Sequence, residues 1–167
     1  MQFQLLFRRY PVDVAPRWLN EHEQAAWRAF LAAANLLFQS VDRQLQRECG
    51  MPILHYRILV ELSEAPDRTL RMSELAASSQ ASRSRITHVV DRLVELGWIE
   101  RSGCEQDGRG TQAVLTDAGF AALARAAESH VEHVRTVLFD QLQPDQVVQL
   151  RRISEAVLLR LTCLLYT

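Results

Sequence analysis

The residues best suited to binding chemistry cluster at the start of a short amphipathic segment that follows Ser82. Its apolar side chains recur at Ile86, Val89, Val90, Leu93 and Leu96, the spacing of a helix with one buried face. Arginine can form two hydrogen bonds to guanine, and serine, threonine and histidine can reach bases or phosphates. Since recognition helices contact DNA through their N-terminal residues, we expect the DNA-contacting side chains to be Ser82, Arg83, Ser84, Arg85, Thr87, His88 and Arg92.

A second candidate cluster is the glycine-rich sequence Asp107-Gly108-Arg109-Gly110. An arginine on such a loop tip suits a narrow minor groove, where the negative potential is enhanced. Asp107 is close enough along the chain to orient the Arg109 guanidinium by a charge-assisted hydrogen bond. We therefore add Asp107 and Arg109 to the predicted DNA-binding residues.

The elements around these clusters predict a winged helix-turn-helix. Ser73 is expected to cap a short helix through about Ala77, Ser82 to cap the next helix, and Gly97 to end it. Residues 98–101 and 112–116 alternate in polarity and predict two strands of a hairpin. A hairpin directly after a helix-turn-helix is a wing.

Three long helices flank this unit. Asn20 and Glu23 form a predicted capping box that opens the first helix, and Gly50 and Pro52 end it. Thr116 is expected to cap the second, with Phe120, Leu123, Ala124, Ala127, Val131, Val134 and Leu138 on its buried face. Pro144 lies in the first turn of the third. Apolar faces this long need burial, so both chain ends are expected to form a homodimer interface, with an ordinary intramolecular bundle as the alternative.

The predicted fold is mainly α with a small β-hairpin wing. It divides into an extension (1–19), a dimerisation helix (20–50), a winged helix-turn-helix (51–116) and C-terminal dimerisation helices (117–167). The 167 residues include 19 basic side chains, all arginine, and 20 acidic ones, a net charge of −1. That balance excludes a polycation that coats nucleic acid by bulk charge. No apolar run spans a bilayer and the start is no signal peptide, so a cytoplasmic location is expected.

Other chemistries find little support. Cys49, Cys104 and Cys163 are far apart and form no CxxC pair, which excludes a zinc ribbon and argues against a disulfide framework. His130 and His133 lie one helical turn apart but lack an evident third and fourth ligand, so no metal is expected. No GxSxG, HExxH, P-loop or dinucleotide motif is present, and we expect neither a cofactor nor an enzyme.

An ordered series of motifs resembles the MarR family of bacterial transcriptional regulators. It comprises the runs 70–76, 86–93, 96–101, 107–110 and 114–119, and the resemblance covers roughly residues 20–160. It implies a homodimer that binds palindromic double-stranded DNA, usually as a repressor, and releases it on binding a small, often aromatic, effector. Arg109 matches the family's wing arginine and Asp107 the acid that orients it. His88 and Gly108 stand where arginine is common in the family, and both lower the local charge.

The resemblance also implies an effector pocket between the dimerisation helices and the DNA-binding lobe. By position its expected lining residues are Trp27, Phe30, Phe38, His55, Tyr56 and Arg57. Two alternatives to a ligand-released repressor stay open. One is a winged-helix module that binds protein and not DNA; the other is a redox-sensing regulator that uses Cys104 or Cys49.

Overall fold

The computed structural model describes residues 16–79, 82–103 and 111–165. The chain divides into two units, Met1–Asn35 and Leu36–Thr167, and helix α1 begins in the first and ends in the second. The helices are α1 (Glu21–Cys49), α2 (Ile53–Glu64), α3 (Met72–Ser78), α4 (Arg83–Glu95), α5 (Asp117–Val137) and α6 (Pro144–Leu165). The strands are β1 (Thr69–Arg71), β2 (Ile99–Gly103) and β3 (Thr111–Leu115). This mainly helical fold with a small sheet confirms the predicted fold class.

In the first unit, the start of α1 is fixed by the predicted capping box. The Asn20 amide donates to Glu23 Oε2 at 2.8 Å, and the Glu23 amide donates to Asn20 Oδ1 at 2.9 Å. Trp27 and Phe30 are exposed neighbours, with ring centroids 6.4 Å apart. The structure describes only residues 16–19 of the extension predicted at residues 1–19.

In the second unit, α3 and α4 form the helix-turn-helix. Ser82 caps α4, since the Arg85 amide donates to its hydroxyl oxygen at 3.3 Å. Gly97 ends it with a positive φ of 70°, and the amides of Gly97 and Trp98 donate back to Val94 and Leu93 at 2.9 Å each. This paired arrangement is a Schellman motif, which satisfies the last carbonyls of a helix. The predicted cap and terminator of α4 are both confirmed.

The sheet has the order β1-β3-β2, with both pairings antiparallel. Ile99 pairs with Leu115 and Gly103 with Thr111, so β2 and β3 form the predicted hairpin. Its connection, which carries Cys104, Asp107 and Arg109, lies outside the described residues. The third strand β1 joins the far edge of β3 and attaches the hairpin to the segment just before α3.

A close contact joins the wing to the start of α5. Thr116 caps α5 by accepting from the Gly119 amide at 3.0 Å, and its hydroxyl donates to the Gly97 carbonyl at 2.7 Å. A Cβ atom on Gly119 would lie 2.1 Å from the Trp98 carbonyl oxygen. Only glycine lets α5 approach the backbone of Trp98 this closely.

The core of this unit combines the second half of α1 with α2, α3, α4, the sheet and the first half of α5. Its buried apolar side chains include Leu45, Ile58, Leu62, Leu75, Ile86, Val90, Leu93, Ile99, Ala113, Leu123 and Ala126. None of the described side chains of α6 is among them, and those from 151 to 163 are all exposed. The helix-turn-helix and the wing therefore share one core that does not need α6.

Three predicted details are wrong. The buried face of α5 consists of Gly119, Ala122, Leu123 and Ala126, whereas Phe120, Ala124 and Val131 are exposed. Ser73 lies inside α3 and does not cap it, because β1 runs to Arg71 and the Arg71 amide donates to Glu74 Oε2 at 2.7 Å. Leu96 is exposed and follows the last residue of α4.

Candidate nucleic-acid interface

The N-terminal turns of α4 present a continuous polar surface to solvent. The exposed residues are those predicted from sequence, namely Ser82, Arg83, Ser84, Arg85, Thr87 and His88. Ile86 and Val90 bury the opposite face and fix the orientation of the helix. Across the described part of the chain no carboxylate lies within ion-pair distance of Arg83 or Arg85. Both guanidinium groups are therefore available to an anionic partner.

Farther along α4, the charged side chains are already paired. Arg92 binds Glu95 at 2.7 Å, and Asp91 accepts from Arg101 of β2 at 2.6 Å. The second contact connects the recognition-helix candidate to the wing. Sequence reasoning missed Arg101 as a positioning residue, since nothing in the local pattern indicates that strand β2 passes beside Asp91.

The turn before α4 is held by side chains of α2. Arg57 donates to the Ser79 carbonyl at 3.4 Å, and Ser78 donates to Glu61 at 2.5 Å. Ser79 is buried and its hydroxyl donates to the Leu75 carbonyl at 2.5 Å. Arg57, predicted as a pocket residue, thus contacts the turn of the helix-turn-helix.

The other predicted pocket residues differ in their exposure to solvent and in their contacts. Phe38 is exposed in the second unit, as Trp27 and Phe30 are in the first. His55 is half-buried, and burial lowers its pKa, with a smaller contribution from the charge of Arg92. Tyr56 lies against His130 with ring centroids 4.6 Å apart, and burial raises the pKa of Tyr56. These positions do not test whether the predicted residues line one effector pocket, so that pocket stays a prediction.

A cavity of about 440 Å³ lies elsewhere in the second unit, between the end of α1, α5 and the segment after α4. Its lining residues are Glu48, Cys49, Met51, Trp98, Ala122, Arg125, Ala126 and Ser129. Sequence reasoning missed this cavity. Its lining comes from distant parts of the chain, and no local spacing could have indicated it.

The two histidines of α5 lie next to polar residues of α1. His133 Nε2 is 2.9 Å from Ser40 Oγ, and His130 Nδ1 is buried without a hydrogen-bond partner among the described residues. Burial lowers the pKa of His130, and the charge of His133 lowers it further. The described residues contain no group of three or more His, Cys, Asp or Glu that could hold a metal ion. Nor does any described helix have the length and apolar character to cross a membrane.

A helix-turn-helix followed by an antiparallel wing defines the winged helix-turn-helix class, and comparison with known proteins narrows the class to one family. A sequence model of the MarR family matches residues 50–110. The transcriptional regulator PecS of Dickeya dadantii is 30% identical over 133 residues, which cover 75% of this chain and 80% of PecS.

Two solved structures from Streptomyces coelicolor support the same family assignment. Sco3205, a MarR family transcriptional regulator in complex with DNA, has a TM-score of 0.82 and 48% identity, covering 86% of this chain and 89% of its own. AbsC, also of the MarR family, has a TM-score of 0.82 and 35% identity, covering 88% and 99%. The chain belongs to the MarR family of transcriptional regulators, which are not enzymes. The predicted resemblance and the exclusion of an enzyme are confirmed.

Proposed function

We propose that the protein is a homodimeric repressor that binds a palindromic operator near its own gene and leaves it when a small effector binds. The observation that carries the DNA-binding part is the exposed polar N-terminus of α4, with Arg83 and Arg85 free of carboxylate partners in the described chain. The crystal structure of Sco3205 with DNA supports it, because that relative is 48% identical.

The contacts that we propose fall into two groups. Arg83, Arg85 and the polar residues at positions 82, 84, 87 and 88 enter the major groove, where two-pronged arginine contacts distinguish guanine. The wing arginine Arg109, oriented by Asp107, enters the adjacent minor groove. Arg92 keeps its pair with Glu95 and contributes less, since that pair already neutralises its charge.

Dimerisation is supported by apolar side chains that one copy leaves exposed. On α6 these are Ile153, Val157, Leu158, Leu159 and Leu161, each at least half exposed. Separately, Trp27 and Phe30 of the first unit are also more than half exposed. Exposed apolar side chains grouped in this way favour an interaction surface, and a second copy would cover them. A two-fold dimer can place its recognition helices one DNA turn apart, about 34 Å.

A gel shift with the upstream region of the gene tests this proposal. We expect a saturable shift at moderate salt that disappears when one half of the palindrome is scrambled. A shift that persists with scrambled DNA would show that binding is not operator-specific. No shift at all, with the chain still dimeric, would favour the protein-binding alternative.

A redox-sensing variant of this function depends on Cys49 or Cys104, of which only Cys49 is described. Its thiol is half-buried, and its sulfur lies 4.0 Å from Ser129 Oγ. Operator affinity measured before and after peroxide treatment distinguishes the two mechanisms. We expect no change, and a loss of affinity that dithiothreitol reverses would favour the redox mechanism.

A further inference from the structure

The cavity at the end of α1 combines features of a small-molecule site. Its volume of about 440 Å³ lies in the range of ligand pockets. Met51, Ala122 and Ala126 give it an apolar floor, and all three are buried in the hydrophobic core. Such a floor holds the apolar body of a ligand, while a few polar groups at the edge fix its orientation.

Two opposite charges line the cavity and come from different helices. Arg125 of α5 is exposed and has no ion-pair partner among the described residues. Glu48 of α1 accepts a hydrogen bond from Gln44 Nε2 at 2.7 Å. That bond, with a further contribution from Ser129, lowers the pKa of Glu48, so its carboxylate is ionised at neutral pH.

The buried side chain of Gln44 contacts two residues that line this cavity. Gln44 is only 1% exposed, and its Nε2 donates both to Glu48 and to Ser129 Oγ at 3.1 Å. Both acceptors line the cavity. Gln44 Oε1 is buried and has no hydrogen-bond partner within the described residues. Burying an amide with an unmatched oxygen costs free energy, and here that amide fixes the position of Glu48 and Ser129.

We propose that this cavity binds a hydrophobic amino-carboxylic acid, with its carboxylate on Arg125, its ammonium group on Glu48 and its side chain on the apolar floor. A simple monoanion would be attracted by Arg125 and repelled by Glu48, whereas a zwitterion matches both charges. The cavity also lies between predicted dimerisation helices and the DNA-binding unit, but none of its lining residues is among those predicted from sequence.

The position of Trp98 connects the cavity to the DNA-binding elements, and this part of the inference rests on the proposed function. The Trp98 amide donates to the Leu93 carbonyl at the end of α4, and its carbonyl accepts from Thr116 beside the wing. A ligand that displaces Trp98 would therefore alter the position of α4 relative to the wing. Operator release is the expected consequence.

Three probes with the same phenyl body test the site on the full chain without DNA. Ligand-observed NMR titrations would compare L-phenylalanine, phenethylamine and 3-phenylpropionate. We expect L-phenylalanine to bind at least ~10-fold more tightly than either single-charge probe, a ratio that corresponds to ~1.4 kcal/mol. Equal binding of L-phenylalanine and 3-phenylpropionate, or no saturable binding of any probe, would overturn the proposal.

Two charge-removing variants assign the contacts. E48Q should abolish the advantage of L-phenylalanine over 3-phenylpropionate, and R125Q its advantage over phenethylamine. The matched controls are E128Q and R135Q on α5, which alter exposed residues outside the lining and should leave all three affinities unchanged. A loss of selectivity in the controls, or its retention in E48Q and R125Q, would contradict the assignment.

The effect on DNA is measured separately. If L-phenylalanine binds and operator affinity falls by at least ~10-fold at saturation, the connection through Trp98 is supported. Unchanged operator affinity at saturation would refute that connection. If the chain binds no DNA, the proposed function fails, while the probe titrations still decide whether the cavity is a site.

Discussion

The close approach of α5 to the backbone of Trp98 predicts what an alanine at position 119 would do. Its Cβ would lie 2.1 Å from the Trp98 carbonyl oxygen and 2.8 Å from Leu115 Cδ1. Non-bonded carbon and oxygen atoms pack at ~3.3 Å or more, so α5 would have to move away from Trp98 by about 1 Å. The carbonyl cannot simply turn away, because it accepts from the Thr116 amide at 3.1 Å.

The cost of that withdrawal follows from the bonds it strains. The Gly119 amide donates to Thr116 Oγ1 at 3.0 Å, and Thr116 Oγ1 donates to Gly97 at 2.7 Å. Losing a helix cap costs ~1 kcal/mol, and overpacking costs a further ~1–3 kcal/mol. The higher helix propensity of alanine offsets at most ~1 kcal/mol. We expect G119A to lower the free energy of unfolding by ~1–3 kcal/mol, whereas helix propensity alone predicts an increase.

Urea unfolding followed by circular dichroism, at one fixed protein concentration, measures this difference. The matched control is G103A, because a Cβ there meets no atom of the described residues within 4 Å and Gly103 has no positive φ. Its unfolding free energy should change by no more than ~0.5 kcal/mol. A G119A protein as stable as the wild type would show that the close approach of α5 to Trp98 is not present in solution.

Three further predictions concern DNA binding, assembly and pH. Arg109→Ala should weaken operator binding by ~1–3 kcal/mol in a gel-shift titration, and unchanged affinity would remove Arg109 from the interface. A chain that ends after Gln143 lacks the exposed apolar face of α6 and should sediment as a monomer, so a dimer would place the interface elsewhere. Burial lowers the pKa of His130 in the folded state. The free energy of unfolding that depends on neutral His130 is therefore complete above the unfolded-state pKa of ~6.5, and it is lost as the pH falls from there toward the lower folded-state pKa. The slope of unfolding free energy against pH in this window should flatten in H130Q and not in H88Q, which alters an exposed histidine; equal slopes in H130Q and the wild type would contradict this.

Local signals correctly predicted where α4 begins and ends and where α5 begins. The signals at these boundaries are local, because each depends on a hydrogen bond or a backbone angle within a few residues of Ser82, Gly97 or Thr116. A few adjacent residues are therefore enough to predict them. Ser73 was misassigned because the Arg71 amide is satisfied by Glu74, a choice that depends on where β1 ends.

Packing between distant segments could not be inferred in the same way. Large apolar residues such as Phe120 and Val131 suggested the wrong face of α5. The buried face consists of Leu123, as predicted, together with the small residues Gly119, Ala122 and Ala126, which allow close approach. The Phe120 ring instead lies under the Arg68 guanidinium, 4.3 Å from its centroid. The pairing of Asp91 with Arg101 likewise depends on the path of the chain and not on the spacing of residues.

The N-terminus of α4 is proposed to contact the bases of an operator. The most direct test is fluorescence anisotropy of the labelled upstream palindrome, titrated with the wild type, R85A and R151A at one salt concentration. R151A removes the same charge from the exposed surface of α6. We expect R85A to weaken binding by ~1–3 kcal/mol and to relax preference at the base it contacts, with R151A unchanged. Equal affinities of R85A and the wild type for this DNA would contradict a contact between Arg85 and the operator.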